Sequence, residues 1–377
     1  MKIVHIVNKI TYTSIPVEWA GKIAKKGNEV IIVSLYDNQL QAEIICKEIA
    51  MNCQVIGCAF KTNPIKAMKR IRNILLNNQI DIIHTHHALS GAIARTIAYG
   101  KEQIKVVHTV HANHHSFTNG QNLIIGLTLS KTDIVTYNSK ETEKSLLNWQ
   151  KRKLKTKQNI VIYNGIDIER IEKASNEYAK KLFSEHKIKE DDSVLLQVGR
   201  LESVKNPIAT ITAFQMFCHQ YPEIASHVKL IFVGDGSEKP NICKLISDDI
   251  KDKVILTGTI ERDMVYSLMK ASDVLIVPSL YEGFCNALFE GLAAGLKLAV
   301  SNIRVFEELL TDELPIHFFN ANNIDEMKER ILESICCKQS VEDQESVKRY
   351  VYNTFEINQC IEKYIDIYDS LLSEEYR

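Results

Sequence analysis

Short, nearly continuous apolar runs recur along the chain, each followed by a stretch with helical spacing. This alternation limits the fold more than any other feature of the sequence. Ile3–Val7 is such a run, as expected of a strand covered on both faces. A helix over Val17–Lys26 follows, stopped by Gly27, and then a second strand over Glu29–Val33. The pattern predicts helices over Pro64–Asn77 and Ala88–Tyr99. It predicts strands over Ile80–His84, Val106–Val110, Ile134–Tyr137 and Asn159–Tyr163. The run Leu123–Leu129 reads as buried helix. A polar stretch from Ile168 to Asp192 reads as linker plus helix, after which the rhythm restarts. Strands are expected over Val194–Val198, Lys229–Val233, Val254–Thr257 and Val274–Val277, with helices over Asn206–Tyr221 and Glu282–Ala294. An amphipathic pattern over Phe355–Leu372 closes the chain. The reading is α/β: two tandem Rossmann-like, doubly wound domains with an interdomain cleft. Domains are expected at 1–168 and 169–354, with a last helix in 355–377 packing back on the first.

The length of 377 residues fits two domains. The composition, 45% hydrophobic and 25% charged, is that of a globular chain rather than a disordered one. No apolar run approaches the ~20 residues that cross a bilayer. The start of the chain reads as a first strand rather than a signal peptide. Nine cysteines, an odd number, without a Cys-x-x-Cys, fit reduced thiols in the cytoplasm.

The formal net charge of −1 hides an asymmetry. Of the 46 basic and 47 acidic residues, 1–170 hold 23 and 12, a net of +11; 171–377 hold 23 and 35, a net of −12. Basic clusters stand at Lys22/Lys25/Lys26, at Lys61/Lys66/Lys69/Arg70/Arg72 and along Lys151–Lys157. Each alone is a solvated helix face; together they point to an anionic partner surface. No recognition helix, zinc-finger spacing or aromatic-interleaved strand favours nucleic acid, so a membrane surface is the partner expected.

Two stretches carry chemistry. In the first, a strand ends at Pro278 and a turn carries Glu282 and Gly283. A helix then begins near Cys285 or Asn286 and holds Glu290 one turn in. A helix start suits a phosphate, and the carboxylates suit sugar and ribose hydroxyls. The plain alternative makes Glu290 a surface helix residue and Glu282 a dipole partner. In the second, Val198-Gly199-Arg200-Leu201 leads to Lys205-Asn206-Pro207, again strand, turn and helix. Arg200 and Lys205 flank a turn from which both could reach a diphosphate; a solvated pair is the alternative. Histidines cluster in the first half, at His84, His86 and His87 and at His108, His111, His114 and His115. No carboxylate or cysteine shares a ligand-like spacing with them, so no metal is expected. His108 reads as core, and one of the others as a sugar ligand or proton-transfer group in the cleft. Gly234-Asp235-Gly236 lacks the third glycine of a dinucleotide fingerprint. No Asp-x-Asp occurs.

These pieces resemble the retaining glycosyltransferases of family 4, with the GT-B fold. The resemblance spans most of the chain and is strongest over 195–309. Glu282-Gly283-Phe284 leading to Glu290 matches the family's Glu-(seven residues)-Glu motif. Gly199-Arg200-Leu201 with Lys205-Asn206 matches its Gly-Arg-Leu…Lys-Asn turn, and Thr109-Val110-His111 and Asn164-Gly165-Ile166-Asp167 also fit. The resemblance implies that Arg200 and Lys205 neutralise the donor diphosphate, with the turn at Gly199 and the amides of Gly283, Phe284, Cys285, Asn286 and Ala287. It implies further that Glu290 binds the ribose, Glu282 the hydroxyls of the transferred sugar, and Gly258, Thr259 and Ile260 the base. His111 would sit beside the anomeric centre. The loop Asn8–Pro16 departs from the family in having no glycine. The function expected is transfer of a sugar from a nucleotide-sugar, UDP by family default, to a glycan or lipid-linked acceptor in cell-surface polysaccharide synthesis. Neither metal nor cofactor is expected, and the location expected is the cytoplasm, at the inner face of the membrane. The competing readings are a sugar-nucleotide epimerase of the same fold and a non-catalytic nucleotide- or glycan-binding protein.

Overall fold

The computed structural model describes residues 1–49, 52–154, 158–311, 314, 316–338 and 340–373. The chain divides into two compact units, Met1–Gly165 with Asn358–Arg377, and Ile166–Ile357. The expected boundaries lay at 168/169 and 354/355.

The first unit holds seven strands: β1 (Lys2–Val7), β2 (Glu29–Ser34), β3 (Gln54–Gly57), β4 (Ile82–Thr85), β5 (Lys105–Val110), β6 (Ile134–Tyr137) and β7 (Gln158–Val161). They lie in the order β3-β2-β1-β4-β5-β6-β7. Every pairing is parallel. The second unit holds β8 (Ser193–Val198), β9 (Val228–Val233), β10 (Val254–Gly258), β11 (Val274–Val277), β12 (Lys297–Ser301) and β13 (Ile316–Phe319), in the order β10-β9-β8-β11-β12-β13 and again all parallel. Both sheets are doubly wound, as the alternation predicts. In each, the strand order reverses beside the first strand, between β1 and β4 and between β8 and β11. Doubly wound sheets bind ligands at that reversal, outside the carboxyl ends of the strands.

The strands are apolar because both faces are covered. Ile3, Val4, Ile6 and Val7 of β1 and Leu195 and Leu196 of β8 are fully buried. The second unit's core gathers Phe214, Phe217, Phe232 and Ile276 around these strands. The last helix, Ile357–Leu372, lies on the first unit, burying Ile361, Tyr364, Tyr368 and Leu371. Three details differ from expectation. Phe355 ends the preceding helix, Val341–Phe355, instead of opening the last one. The polar stretch after Ile168 forms two helices, Ile168–Lys173 and Glu177–Glu185. The helix Asn119–Leu129 leaves Leu123 and Leu127 exposed, so the apolar run is buried on one side only. Lys155, Thr156 and Lys157 of the expected basic run lie outside the described residues. Among the described residues, no helix is long and apolar enough to cross a membrane.

Candidate functional site

In the second unit, the two loops beside the strand reversal are joined. Leu280 N–H donates to Val204 C=O at 2.9 Å. The Lys205 ammonium pairs with the Glu282 carboxylate, and Ser279 Oγ donates to the same Glu282 oxygen at 2.7 Å. Ser301 Oγ in turn donates to Ser279 C=O at 2.7 Å, fixing the turn to β12. Burial works against the charge on Lys205, and the neighbouring carboxylate more than offsets it, so the ammonium titrates above its ordinary range. The helix Asn286–Ala294 then starts from Cys285, whose backbone is left-handed at φ 73°. The ring contacts of Phe284 with Phe289 (4.7 Å) and Phe355 (5.5 Å) hold the turn down. Burial raises the Cys285 thiol to about 12, with Lys205, Glu282 and Glu290 all near enough to act on it. The thiol is a spacer at a helix start, not a nucleophile.

Glu290 is buried rather than on the surface. Its Oε1 accepts from Arg262 Nη2 at 2.5 Å and from Tyr266 O–H at 3.1 Å. The plain surface reading of this glutamate is therefore wrong, and the carboxylate expected at the ribose already has one oxygen engaged. Arg200 is exposed at the end of β8, and its charge acts on Lys205. Gly199 (φ 140°) and Gly234 (φ 135°) end adjacent strands so closely that a Cβ at Gly234 would lie 2.0 Å from Gly199 C=O. Only glycine fits there. Gly234 N–H donates to Gly258 C=O at 2.9 Å, which ties the ends of β8, β9 and β10 together next to Thr259 and Ile260. Arg200, Lys205, Glu282 and Glu290, Gly199 and Gly283 to Ala287 thus share the carboxyl-end rim of one sheet.

His111 belongs to the first unit, at the end of β5. Its Nε2 lies 3.0 Å from Nδ1 of His86, which follows β4, and His86 Nε2 lies 3.0 Å from Nδ1 of His5 in β1. His84 contacts Tyr368 O–H at 2.7 Å and Thr109 Oγ1 at 2.6 Å. Burial pulls the pKa of His5 and His111 down to about 3 and that of His84 and His86 well below the usual histidine range. The expected grouping of histidines is partial. His114 and His115 lie against each other in a separate turn, their rings tilted by 43° with centroids 4.1 Å apart, and His108 is core, bonded to the buried Arg95.

Two family models cover these units. One, described as glycosyltransferase family 4, matches residues 17–170; the other, glycosyl transferases group 1, matches 179–354. The chain is a family 4 glycosyltransferase. It is 25% identical over 315 residues to the Escherichia coli UDP-Gal:alpha-D-GlcNAc-diphosphoundecaprenol alpha-1,3-galactosyltransferase, covering 81% of this chain and 79% of that one. A Campylobacter jejuni N-acetylgalactosamine-N,N'-diacetylbacillosaminyl-diphospho-undecaprenol 4-alpha-N-acetylgalactosaminyltransferase is 31% identical over 48% of this chain and 44% of its own. Among solved structures, Anabaena HepE in complex with UDP and glucose superposes with a TM-score of 0.77 at 17% identity, covering 98% of this chain and all of that one, which places the fold as GT-B.

Three members of this glycosyltransferase's polar network escaped the sequence reading. Arg262 stands at the start of the helix Arg262–Ala271, which packs on Asn286–Ala294, and its side chain is buried. Tyr266, one turn later, is fully buried and gives no local sign of its hydrogen bond to Glu290. His5 was legible in principle, as the one polar residue inside an apolar strand. The loop after β1 has no glycine, and its backbone is tied instead by Ile10 N–H to Asp37 Oδ2 at 2.7 Å and Asn8 N–H to His87 Nδ1 at 3.3 Å.

Proposed function

We propose that this enzyme is a retaining, metal-independent transferase that moves a sugar from a UDP-sugar to a lipid-linked glycan acceptor. The observation that carries the reading is the Lys205–Glu282 pair that joins two loops at the strand reversal of the second sheet, with the exposed Arg200 and the buried Glu290 on the same rim. Arg200 and Lys205 would meet the diphosphate, with the start of the helix at Asn286 adding its positive end. As the bond from the anomeric carbon to the diphosphate oxygen breaks, its electron pair passes to the leaving diphosphate, while the acceptor hydroxyl oxygen bonds to that carbon on the same face and its proton passes to the departing diphosphate oxygen. Fixed cations facing that oxygen lower the barrier without rearranging. The phosphate competes with Glu282 for Lys205, which frees carboxylate oxygen for the hydroxyls of the transferred sugar. Glu290, held by Arg262 and Tyr266, would present its remaining capacity to the ribose. His111 would contact the transferred sugar beside the anomeric carbon.

Support for the donor and acceptor classes comes from the Escherichia coli and Campylobacter relatives, whose names specify diphospho-undecaprenol-linked substrates and, for the first, UDP-galactose. Membrane contact fits the helix Pro64–Asn77, which exposes Ile65 and Met68 among Lys66, Lys69 and Arg72. The test is transfer from a panel of radiolabelled UDP-sugars to a polyprenyl-diphosphate-linked acceptor sugar, with and without EDTA, the anomeric configuration of the product read by NMR. The reading predicts EDTA-resistant transfer with the α-configuration of the donor kept. Inverted product, dependence on a divalent ion, or epimerised donor without transfer would each contradict it.

A further inference from the structure

We propose that Ser279 is a positioning residue: its hydroxyl keeps the Glu282 carboxylate turned toward the hydroxyls of the transferred sugar after the diphosphate has drawn Lys205 away. The inference rests on the role proposed above for Glu282, and it adds the group that holds that carboxylate in the loaded enzyme.

The two glutamates of the rim are held alike. Glu282 Oε1 accepts from Ser279 Oγ–H at 2.7 Å and from the Lys205 ammonium. Glu290 Oε1 accepts from Tyr266 O–H at 3.1 Å and from Arg262 Nη2 at 2.5 Å. In each carboxylate, one oxygen takes a hydroxyl and a cation. The other oxygen, Oε2, has no partner among the described residues in either case. Neither Oε2 is one of the enclosed polar atoms left without a partner, and the side chains of Glu282 and Glu290 keep 12% and 8% of their surface exposed. Both Oε2 atoms therefore reach solvent, and an ionised carboxylate oxygen can only accept. A ligand that brings hydroxyl donors to this rim meets two bare acceptors whose partner oxygens are already anchored.

The cations differ, and that difference singles out Ser279. Arg262 is buried, and parting it from Glu290 would leave two charges enclosed and unpaired. Lys205 is more open, at 20%, and is one of the two cations assigned above to the diphosphate. A diphosphate competes for its ammonium, and Glu282 then keeps one anchor, the Ser279 hydroxyl. Ser279 is placed independently of the Lys205 side chain. It is 1% exposed, its C=O accepts from Oγ–H of the fully buried Ser301 at 2.7 Å, and the next residue, Leu280, donates its N–H to Val204 C=O at 2.9 Å. A hydroxyl bonded to a carboxylate at this length is a charge-assisted hydrogen bond, roughly twice as strong as a neutral one. If Ser279 only braced the turn, its loss would weaken every ligand of the rim alike. A positioning role spares UDP, which carries no transferred sugar.

The test is calorimetric titration of the full-length enzyme with UDP and with UDP-glucose, UDP-galactose, UDP-N-acetylglucosamine and UDP-N-acetylgalactosamine, alongside thermal melts. In Ser279→Ala, UDP should bind within about twofold of the wild type, while the UDP-sugar that the wild type binds most tightly should bind about tenfold more weakly. Ser279→Thr, which keeps the hydroxyl, should recover most of that loss. The Ser279→Ala/Glu282→Ala double variant should show the same ratio of UDP-sugar to UDP affinity as Glu282→Ala alone, because Ser279 acts through Glu282. Equal weakening of UDP and UDP-sugar in Ser279→Ala, or a further fall of the ratio in the double variant, overturns the proposal. So does an unchanged ratio in Ser279→Ala when Glu282→Ala lowers it, and that outcome leaves Glu282 at the sugar. An unchanged ratio in Glu282→Ala itself overturns the role of Glu282, and the role of Ser279 falls with it.

Discussion

The two units share one topology and put opposite electrostatics at the point where their strand order reverses. Beside β1 and β4 lie neutral imidazoles, with the fully buried Arg95 nearby on Thr85, Thr128 and His108 instead of a carboxylate. Beside β8 and β11 lie matched opposite charges, Lys205 with Glu282 and Arg262 with Glu290. The overall charges of the two halves point the other way. The basic half holds the neutral cluster, and the acidic half holds the cations that suit a diphosphate. Net charge therefore describes what each half meets at its surface, while the chemistry is set by which charges are buried together.

Acid should separate the two most strongly. His5 and His111 titrate near 3 in the folded chain and near 6.5 when unfolded. Between those values the unfolded chain binds protons that the folded one excludes, so stability is present above about pH 6.5 and is lost as the pH falls below it. Each such histidine contributes up to about 1.4 kcal/mol per pH unit. With His84, His86 and His108 also depressed, the first unit should lose several kcal/mol by about pH 5. Hydrogen exchange, corrected for intrinsic rates, should show protection falling in β1, β4 and β5 while β8 and β11 keep theirs. Equal loss in both sheets would erase the contrast.

The next effect is on catalysis. Lys205→Ala should lower kcat by a factor of about 10² to 10³, the loss typical of one preorganised charge-stabilising group. Thermal melts would check that the fold survives the loss of Glu282's partner. Two buried arginines then sharpen the comparison. Arg262→Leu leaves the Glu290 carboxylate buried without its cation and should cost about 3–5 kcal/mol in denaturant unfolding, largely recovered in the Arg262→Leu/Glu290→Leu double variant. Arg95→Met removes a guanidinium whose pKa burial has already pushed down to about 9, and no carboxylate is orphaned. It should change stability by less than about 1.5 kcal/mol. Comparable losses at the two arginines would show that pairing with a carboxylate is not what distinguishes the units.

How much of this was readable from the sequence follows the same physics. Parallel strands covered on both faces spell themselves as apolar runs, which is why β1, β6, β8 and β11 could be placed within a residue. The outer strands β3 and β13 carry half-exposed residues and were passed over, as was the inner, buried strand β12, which follows the helix Asn286–Ala294 after only Gly295 and Leu296. Arg200, Lys205, Glu282 and Glu290 could be singled out because each follows a strand end at a fixed spacing. Their pairings were not found, because these depend on how loops and helices distant in the chain pack. Lys205 and Glu282 are 77 positions apart, and Arg262 and Glu290 are 28. No local pattern says that the carboxylate expected at the sugar hydroxyls rests on the lysine expected at the phosphate.

The central claim is that Arg200 and Lys205, beside Glu282 and Glu290 at the ends of β8 and β11, form a diphosphate site. Calorimetric titration of UDP into the wild type and Arg200→Ala tests it most directly. The account predicts saturable one-to-one binding, weakened tenfold or more in a variant that melts like the wild type, since a charged hydrogen bond contributes about 1.5–3 kcal/mol. Failure of UDP to bind the wild type, or an unchanged affinity in Arg200→Ala, would contradict it.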